Sequence, residues 1–370
     1  MSGQNIHPPK YIQNRCEALT AALEKQKLPA LLISSYVDVS YVTGFEGDDS
    51  WVIFTPEKVW LISDSRYSEQ IQRECPWVVP VIRKKGFGEE LMRISRREKI
   101  SLLGVQAETL TLLQFGALQR AARPARLRLK PVDNLVIELR HIKDAHEISL
   151  IEEAIVIAEQ AFEIVRKAIR TGMTENDLAG LLVYEMRRRG ASDASFQPIV
   201  AAGANGSLPH YRPGNVKIGH NTPLLIDWGA LYRAYRSDLT RMLFLGKIPE
   251  KIREVYRIVL DAQQTAIAAV RPGLSGKKID KIARDIIAKA GYGPAFGHSL
   301  GHGIGRDIHE QISLSPRSKV ILKPGMIVTV EPGIYLPGIG GVRIEDDVLV
   351  TESGCRMLSH LPKDINSARL

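Results

Sequence analysis

The sequence predicts a two-domain α+β protein. A smaller α/β domain covers residues 1–135, and a larger domain covers 136–370, built from two pseudo-two-fold helix–helix–hairpin halves. Three observations carry this prediction. The first 140 or so residues alternate short buried-strand runs with helical apolar spacing. An ungapped internal repeat sets "RTGMTENDLAGLLVYEMRRRG" (170–190) against "RPGLSGKKIDKIARDIIAKAG" (271–291), offset by 101 residues. Each repeat copy is followed by an apolar strand pair that carries acids where apolar residues belong.

In chain order, "YIQNRCEALTAALEKQ" has the spacing of an amphipathic helix, and "ALLISS" reads as a short buried strand. "WVIFT" and "VWLISD" are strands flanking the turn residues Pro56, Glu57 and Lys58. "SLLGVQ" predicts a further strand and "LTLLQFGALQRAA" a helix. One long helical stretch, "NLVIELRHIKDAHEISLIEEAIVIAEQAFEIVRKAI", then crosses the domain boundary. In each repeat copy a Gly turn (Gly172, Gly273) leads to an N-cap hydroxyl (Thr174, Ser275), then a helix closed by Gly190 or Gly291. The strand pairs that follow are "PLLIDWGALYRAYRSDLTRMLFL" and "MIVTVEPGIYLPGIGGVRIEDDVLV". Two such halves would bring their hairpins together, and the seam between them is a natural place for a site.

Bulk composition excludes several classes. No apolar run approaches the ~18 residues that span a bilayer. "MSGQNIHPPKYIQNR" has no apolar leader core, so no secretory signal is expected. Cys16, Cys75 and Cys355 are odd in number and far apart, which predicts unpaired thiols and a cytoplasmic protein. Of the net charge of +9, most lies between Arg83 and Lys130, where twelve Lys/Arg face four Glu. That segment has no interleaved aromatics and no nucleic-acid-binding motif, so it predicts a solvated face or subunit contact and no nucleic-acid partner.

The acids in the two strand pairs are Asp227 in "LLIDWG", Asp238 in "RSDLTRMLF", Glu331 in "VTVEPG" and Glu345 in "VRIEDDVLV". A buried carboxylate is costly unless it is paired or binds a metal. Four brought together carry a charge of −4, which two divalent cations would balance. The predicted chemistry is that of a dinuclear hydrolase, in which a metal-bridging hydroxide attacks a polarised carbonyl. "GHSLGHGIGRDIHE" (297–310) supplies histidines for the remaining position. His298 and His302 have i, i+4 spacing, but the flanking glycines deny them a helix, so a Gly-built loop presenting one ligand histidine is expected.

The motifs "LPHY" (208–211), "LLIDWGA" (224–230), "YRSDLTR" (235–241), "GHGIGRDIHE" (301–310), "VTVEPGIY" (328–335) and "GVRIEDDVLV" (341–350) together resemble the "pita-bread" metallopeptidases. That family comprises Xaa-Pro aminopeptidases, Xaa-Pro dipeptidases (prolidases) and methionine aminopeptidases. The resemblance implies that Asp227, Asp238, His302, Glu331 and Glu345 are the metal ligands, with Asp238 and Glu345 bridging. It further implies that His210 and His309 face the substrate, that Glu331 is the general acid or base, and that His298 lies at the pocket. Tyr335 and Arg343 would bond to the ligand Asp227. "DVSYVTGFEGDDSWVIFT" followed by "LISDSRYSEQ" is similar to the N-terminal domain of the Xaa-Pro enzymes and creatinase, which methionine aminopeptidases generally lack. Asp64 and Arg66 within it predict a structural ion pair.

The expected protein is therefore a metal-dependent exopeptidase that cleaves the Xaa-Pro bond of dipeptides or short peptides. The other readings weighed are a creatinase-like hydrolase of another small amide and a non-catalytic binding module of the same fold. The oxygen-rich ligand set favours two Mn²⁺ ions per chain, with Co²⁺ or Zn²⁺ as substitutes. Metal affinity is expected to weaken as pH falls through the histidine range. The resemblance also implies a homodimer.

Overall fold

The computed structural model describes residues 7–370. The first six residues, part of the stretch read as lacking a leader, lie outside that range. The chain divides between Arg140 and His141 into two compact units.

The N-terminal unit centres on a six-stranded mixed sheet in the order β4-β3-β2-β1-β5-β6. Its strands are β1 (Leu31–Ile33), β2 (Trp51–Phe54), β3 (Val59–Ser63), β4 (Val79–Ile82), β5 (Leu102–Gln106) and β6 (Arg128–Val132). β1 is buried on both faces, which explains its uninterrupted apolar run. Leu31 and Ile33 join the core beneath α1 (Lys10–Lys25), α2 (Tyr36–Thr43), α3 (Ser68–Glu74) and α6 (Leu135–Arg140). Leu32 joins the opposite core beneath α4 (Phe87–Arg97) and α5 (Leu112–Ala122). Asp64 and Arg66 do pair, at 2.6 Å, in a quartet with Asp49 and Arg83. Arg83, the first residue of the basic segment, is thus already engaged, and Arg93 and Lys85 pair with Glu90 and Glu89.

The stretch predicted as one helix across the boundary is two. α6 ends at Arg140 and α7 (Ala145–Ala168) begins after Asp144. Asp144 accepts from the Glu147 amide while the Glu147 side chain bonds back to the Asp144 amide, a reciprocal cap that starts a new helix.

The C-terminal unit duplicates one motif. In the first half α7 and α8 (Glu175–Arg188) precede β7 (Asp193–Ala194), β8 (Ile199–Ala202), β9 (Pro223–Trp228), β10 (Ala230–Tyr232), β11 (Tyr235–Arg236) and β12 (Leu239–Phe244). In the second, α9 (Glu250–Ala269) and α10 (Gly276–Lys289) precede β13 (Gly301–Gly303), β14 (Glu310–Leu314), β15 (Ile327–Val330), β16 (Gly333–Leu336), β17 (Gly340–Arg343), β18 (Asp346–Val350) and β19 (Cys355–Met357). The predicted caps are present: Thr174 and Ser275 accept from the amides three residues on. Gly190 and Gly291 follow the helices at φ 102° and 88°, backbone that favours glycine. The local ties repeat too, since Gly172 and Gly273 donate to Ile218 and Leu322.

Neither predicted hairpin is continuous. β9 pairs with β12 and β15 with β18, while the tips β10–β11 and β16–β17 belong to separate sheets. Each hairpin is therefore bent partway along. Strand alternation then sorts the faces. Leu224, Ile226 and Trp228 of β9 pack in the core of α7 and α8, with Trp228 stacked on Phe162 at 4.3 Å. Leu225 points the other way, and Asp227 shares its side. The halves are joined where Thr240 bridges Glu345. Cys16, Cys75 and Cys355 are free, and burial pushes the first two thiols up to about 12.

Candidate metal centre and active site

The bends place the acids. A Cβ at Gly229 would lie 1.8 Å from the Ser237 carbonyl oxygen, so the backbones touch there only because residue 229 is glycine. Asp227 sits two residues before this contact and Asp238 falls in the break between β11 and β12. In the second half Glu331, followed by Pro332, interrupts β15 and β16, and Glu345 interrupts β17 and β18. Acids expected within strands thus lie at or beside the kinks, where the ladder opens and side chains from both halves can meet.

His302 joins them from β13. The glycines around it serve close packing, not loop freedom: a Cβ at Gly301 would lie 2.0 Å from the Thr329 oxygen, and one at Gly303 2.8 Å from Ile312. The expected loop is a strand, bulged between His302 and Gly303. Beyond it, residues 304–309 form an irregular turn, and β14 begins only at Glu310. His309 is exposed on that turn, its ring edge-on to His302 with centroids 4.3 Å apart.

The histidines divide by their nitrogens. His302 Nδ1 lies 3.1 Å from the Gly303 carbonyl and so carries the hydrogen. Its Nε2 lone pair then faces Asp238 Oδ2 at 3.5 Å and Glu331 Oε1 at 3.4 Å. Burial holds His302 down at about 3, so the ring is neutral at pH 7. An imidazole lone pair facing carboxylate oxygens is repulsive unless a cation lies among them. His298 has no such freedom: its Nδ1 meets the Ser299 carbonyl at 2.7 Å and its Nε2 the Tyr335 hydroxyl at 2.9 Å. Tyr335 in turn accepts from Arg343 at 2.8 Å, and Arg343 pairs with Asp227 at 2.5 Å. One chain of hydrogen bonds therefore runs from Asp227 to His298, and Tyr335 reaches Asp227 through Arg343, not directly as the resemblance implied.

Burial pushes Asp227, Asp238, Glu331 and Glu345 upward, Glu331 to about 8; repulsion from neighbouring acids adds to it at Asp238, Glu331 and Glu345, whereas Arg343 draws Asp227 back down. Asp227 Oδ1, Asp238 Oδ1 and Glu345 Oε1 are buried without a hydrogen-bond partner. Asp238, His302 and Glu345 each present a ligand atom within 4.8 Å of the others. Orphaned hard oxygens converging with an open imidazole nitrogen fit divalent cations. They line a cleft of about 480 Å³ together with His210, His298, His309, Glu331 and Arg343. His210 is exposed on the turn that follows β8.

Residues 149–352 match the profile described as metallopeptidase family M24, and residues 15–142 match the creatinase/prolidase N-terminal domain. The chain belongs to metallopeptidase family M24. It has the pita-bread fold and is an enzyme of the metallopeptidase class. This M24 metallopeptidase is 35% identical to an Xaa-Pro dipeptidase of Pyrococcus horikoshii, over 93% of this chain and 96% of the relative. Among solved structures it is similar to the Xaa-Pro dipeptidase from Bacillus anthracis (36% identity, TM-score 0.92, covering 97% of this chain and 100% of the other). It is also similar to the X-Pro aminopeptidase from Thermotoga maritima (36% identity, TM-score 0.87, covering 93% and 99%).

Several site residues of this M24 metallopeptidase escaped the sequence reading. Thr240 donates to Glu345 at 2.6 Å and accepts from Arg343 at 3.0 Å, tying both halves together. Thr329 donates to Glu331 and accepts from the His302 amide. Asp347 accepts from the Asp238 amide at 3.1 Å across the seam. The signal for Asp347 was available: it is a fully buried strand acid two residues after Glu345, and the argument that singled out Glu345 applies to it equally.

Proposed function

We propose that this metallopeptidase is an exopeptidase cleaving the bond between an N-terminal residue and proline in dipeptides or short peptides. Two divalent ions, Mn²⁺ by ligand hardness, would be held by Asp227, Asp238, His302, Glu331 and Glu345. The carrying observation is that Asp238, Glu345 and His302 present ligand atoms within 4.8 Å of one another, in a cleft that Asp227 and Glu331 also line. The names of the similar proteins, Xaa-Pro dipeptidase and X-Pro aminopeptidase, support the substrate class. Intact carboxylate and imidazole side chains at all five positions favour an enzyme over a binding module.

Bound ions supply Lewis acidity and a water acidified to near neutral pH. The chain's own residues do the rest. Glu331, whose carboxyl burial pushes up to about 8 in the metal-free site, is assigned the proton transfer between water and the leaving group. His309 and His210 reach the cleft from opposite halves and are assigned the carbonyl oxygen, where charge develops. Arg343 and Thr240 fix the orientation of Asp227 and Glu345. The test is glycine release from Gly-Pro and Gly-Pro-Pro with added Mn²⁺, with and without chelator. Chelator-sensitive cleavage of either peptide is expected, and cleavage of Gly-Ala in preference to both would contradict the reading.

A further inference from the structure

We infer that Thr329 is a positioning residue that joins His302 and Glu331 into one preorganised unit and so sets how tightly the ion they share is held; this rests on the metal-centre reading above and deepens it. Thr329 is wholly buried near the end of β15. Its neighbours Val328 and Val330 pack in the core with residues of α9 and α10, so strand alternation turns Thr329 the other way, towards the seam. There its hydroxyl accepts from the His302 amide at 3.1 Å and donates to Glu331 Oε1 at 3.2 Å. Both bonds of this buried hydroxyl therefore go to candidate ligands.

The direction of each bond is fixed. An amide N–H can only donate, so the hydroxyl oxygen accepts it and its one hydrogen is left for Glu331. Among the described residues, Thr329 is the one side chain that donates to the Glu331 carboxylate. Oε1 is also the oxygen that faces His302 Nε2 at 3.4 Å. One hydroxyl thus holds the main chain of one ligand and the facing atom of the other. Gly301 makes room for it, since a Cβ there would lie 2.9 Å from the hydroxyl oxygen. The Glu331 amide is tied separately, to the Leu300 carbonyl at 2.8 Å. What the hydroxyl adds is the orientation of the long glutamate side chain.

A carboxylate oriented before an ion arrives loses less freedom on binding than one that must still be ordered. The other acids have partners of their own. Arg343 holds Asp227, Thr240 holds Glu345, and Asp347 accepts from the Asp238 amide. Loss of the Thr329 hydroxyl should therefore fall on the ion that His302 and Glu331 would hold, and bear much less on the second.

The test is calorimetric titration of metal-stripped protein with Mn²⁺, for the wild type, Thr329→Val and Thr329→Ser. Valine keeps the branched shape and removes the hydroxyl, whereas serine keeps the hydroxyl. Thr329→Val should weaken one Mn²⁺ by about 10- to 100-fold, as for other outer partners of metal ligands, and leave the second within a few-fold. Thr329→Ser should bind both ions nearly as the wild type does. Wild-type affinity for both ions in Thr329→Val, or a serine variant as weak as the valine one, overturns the assignment. Loss of both ions together in Thr329→Val, or its failure to fold without metal, makes the role structural and overturns it too. A wild type that binds no Mn²⁺ overturns the metal-centre reading along with it.

Discussion

The two halves of the catalytic unit share their caps, their glycine turns and their bent hairpins, yet they differ at three positions that matter. Register places Ile199 opposite Asp227, and the Glu331 amide donates to the Leu300 carbonyl in the equivalent place. Counting along both strands, His302 in the second half corresponds to the buried Ala201 in the first. Thr329, which bonds both the His302 amide and Glu331, corresponds to Leu225 in the core. Glu175, the anchor of the segment bearing His210, corresponds to Gly276, where a Cβ would lie 2.3 Å from the Ser313 oxygen. Duplication supplies a symmetric cradle of acids. Asymmetric replacements supply the imidazole on one side and a fixed cleft wall on the other.

The largest expected effect comes from erasing the first difference. His302→Ala gives the second half the residue of the first. It should weaken metal binding by more than the ~100-fold seen when outer partners of a ligand are removed, with activity falling in step. His298→Ala, whose target has both nitrogens already engaged, should keep its metal. Metal titration of both variants checks this, and the reverse pattern would swap the roles.

Erasing the third difference should act more gently. Glu175→Ala strips the shared acceptor from four donors, Tyr211, Asn205 and the Ala202 and Gly214 amides, and should cost roughly 1–3 kcal/mol of stability if even one donor is left buried and unpaired. Turnover should fall through His210 while metal content stays normal. Thermal melts, metal analysis and kinetics on one preparation separate these outcomes, and loss of metal would mean that the seam itself had collapsed.

The smallest effect is in pH. Histidine titration is expected to govern metal affinity, but burial holds His302 at about 3, whereas Glu331 stands at about 8 and Asp238 and Glu345 are also pushed up, so in the metal-free protein the acids are the groups that carry protons a metal would displace. The folded value of Glu331 lies above its unfolded one of 4.5, so the metal-free folded state binds more protons between them. Metal-free stability should therefore be greatest below 4.5 as far as this group is concerned, and decline as pH rises towards 8. Metal affinity should move the opposite way and fall as pH drops below 8. Melting curves with and without Mn²⁺ across that window should converge at the acid end.

Much of this was legible in the sequence, for physical reasons. The repeat was visible because helix caps and glycine turns demand particular residues at fixed offsets, as at Thr174 and Ser275 or Gly190 and Gly291. The four acids stood out because a carboxylate amid a strand's apolar run needs a partner. The bends were not legible, because Gly229 looks like any strand glycine until the Ser237 carbonyl is found against it. The break before Asp144 was hidden by apolar spacing that continues through it, although the Asp144–Glu147 box was there to be read. Thr240 and Glu175 act through partners more than 100 and up to 39 residues away, which only the fold reveals.

The central claim is that acids from both hairpins, with His302, hold two metal ions at the seam. Elemental analysis of protein loaded with excess Mn²⁺ and then desalted tests it most directly, for the wild type and for Asp238→Ala. Two ions per wild-type chain, and a loss of at least one in Asp238→Ala, is the predicted result. No retained metal in the wild type, or equal metal in both proteins, would contradict it.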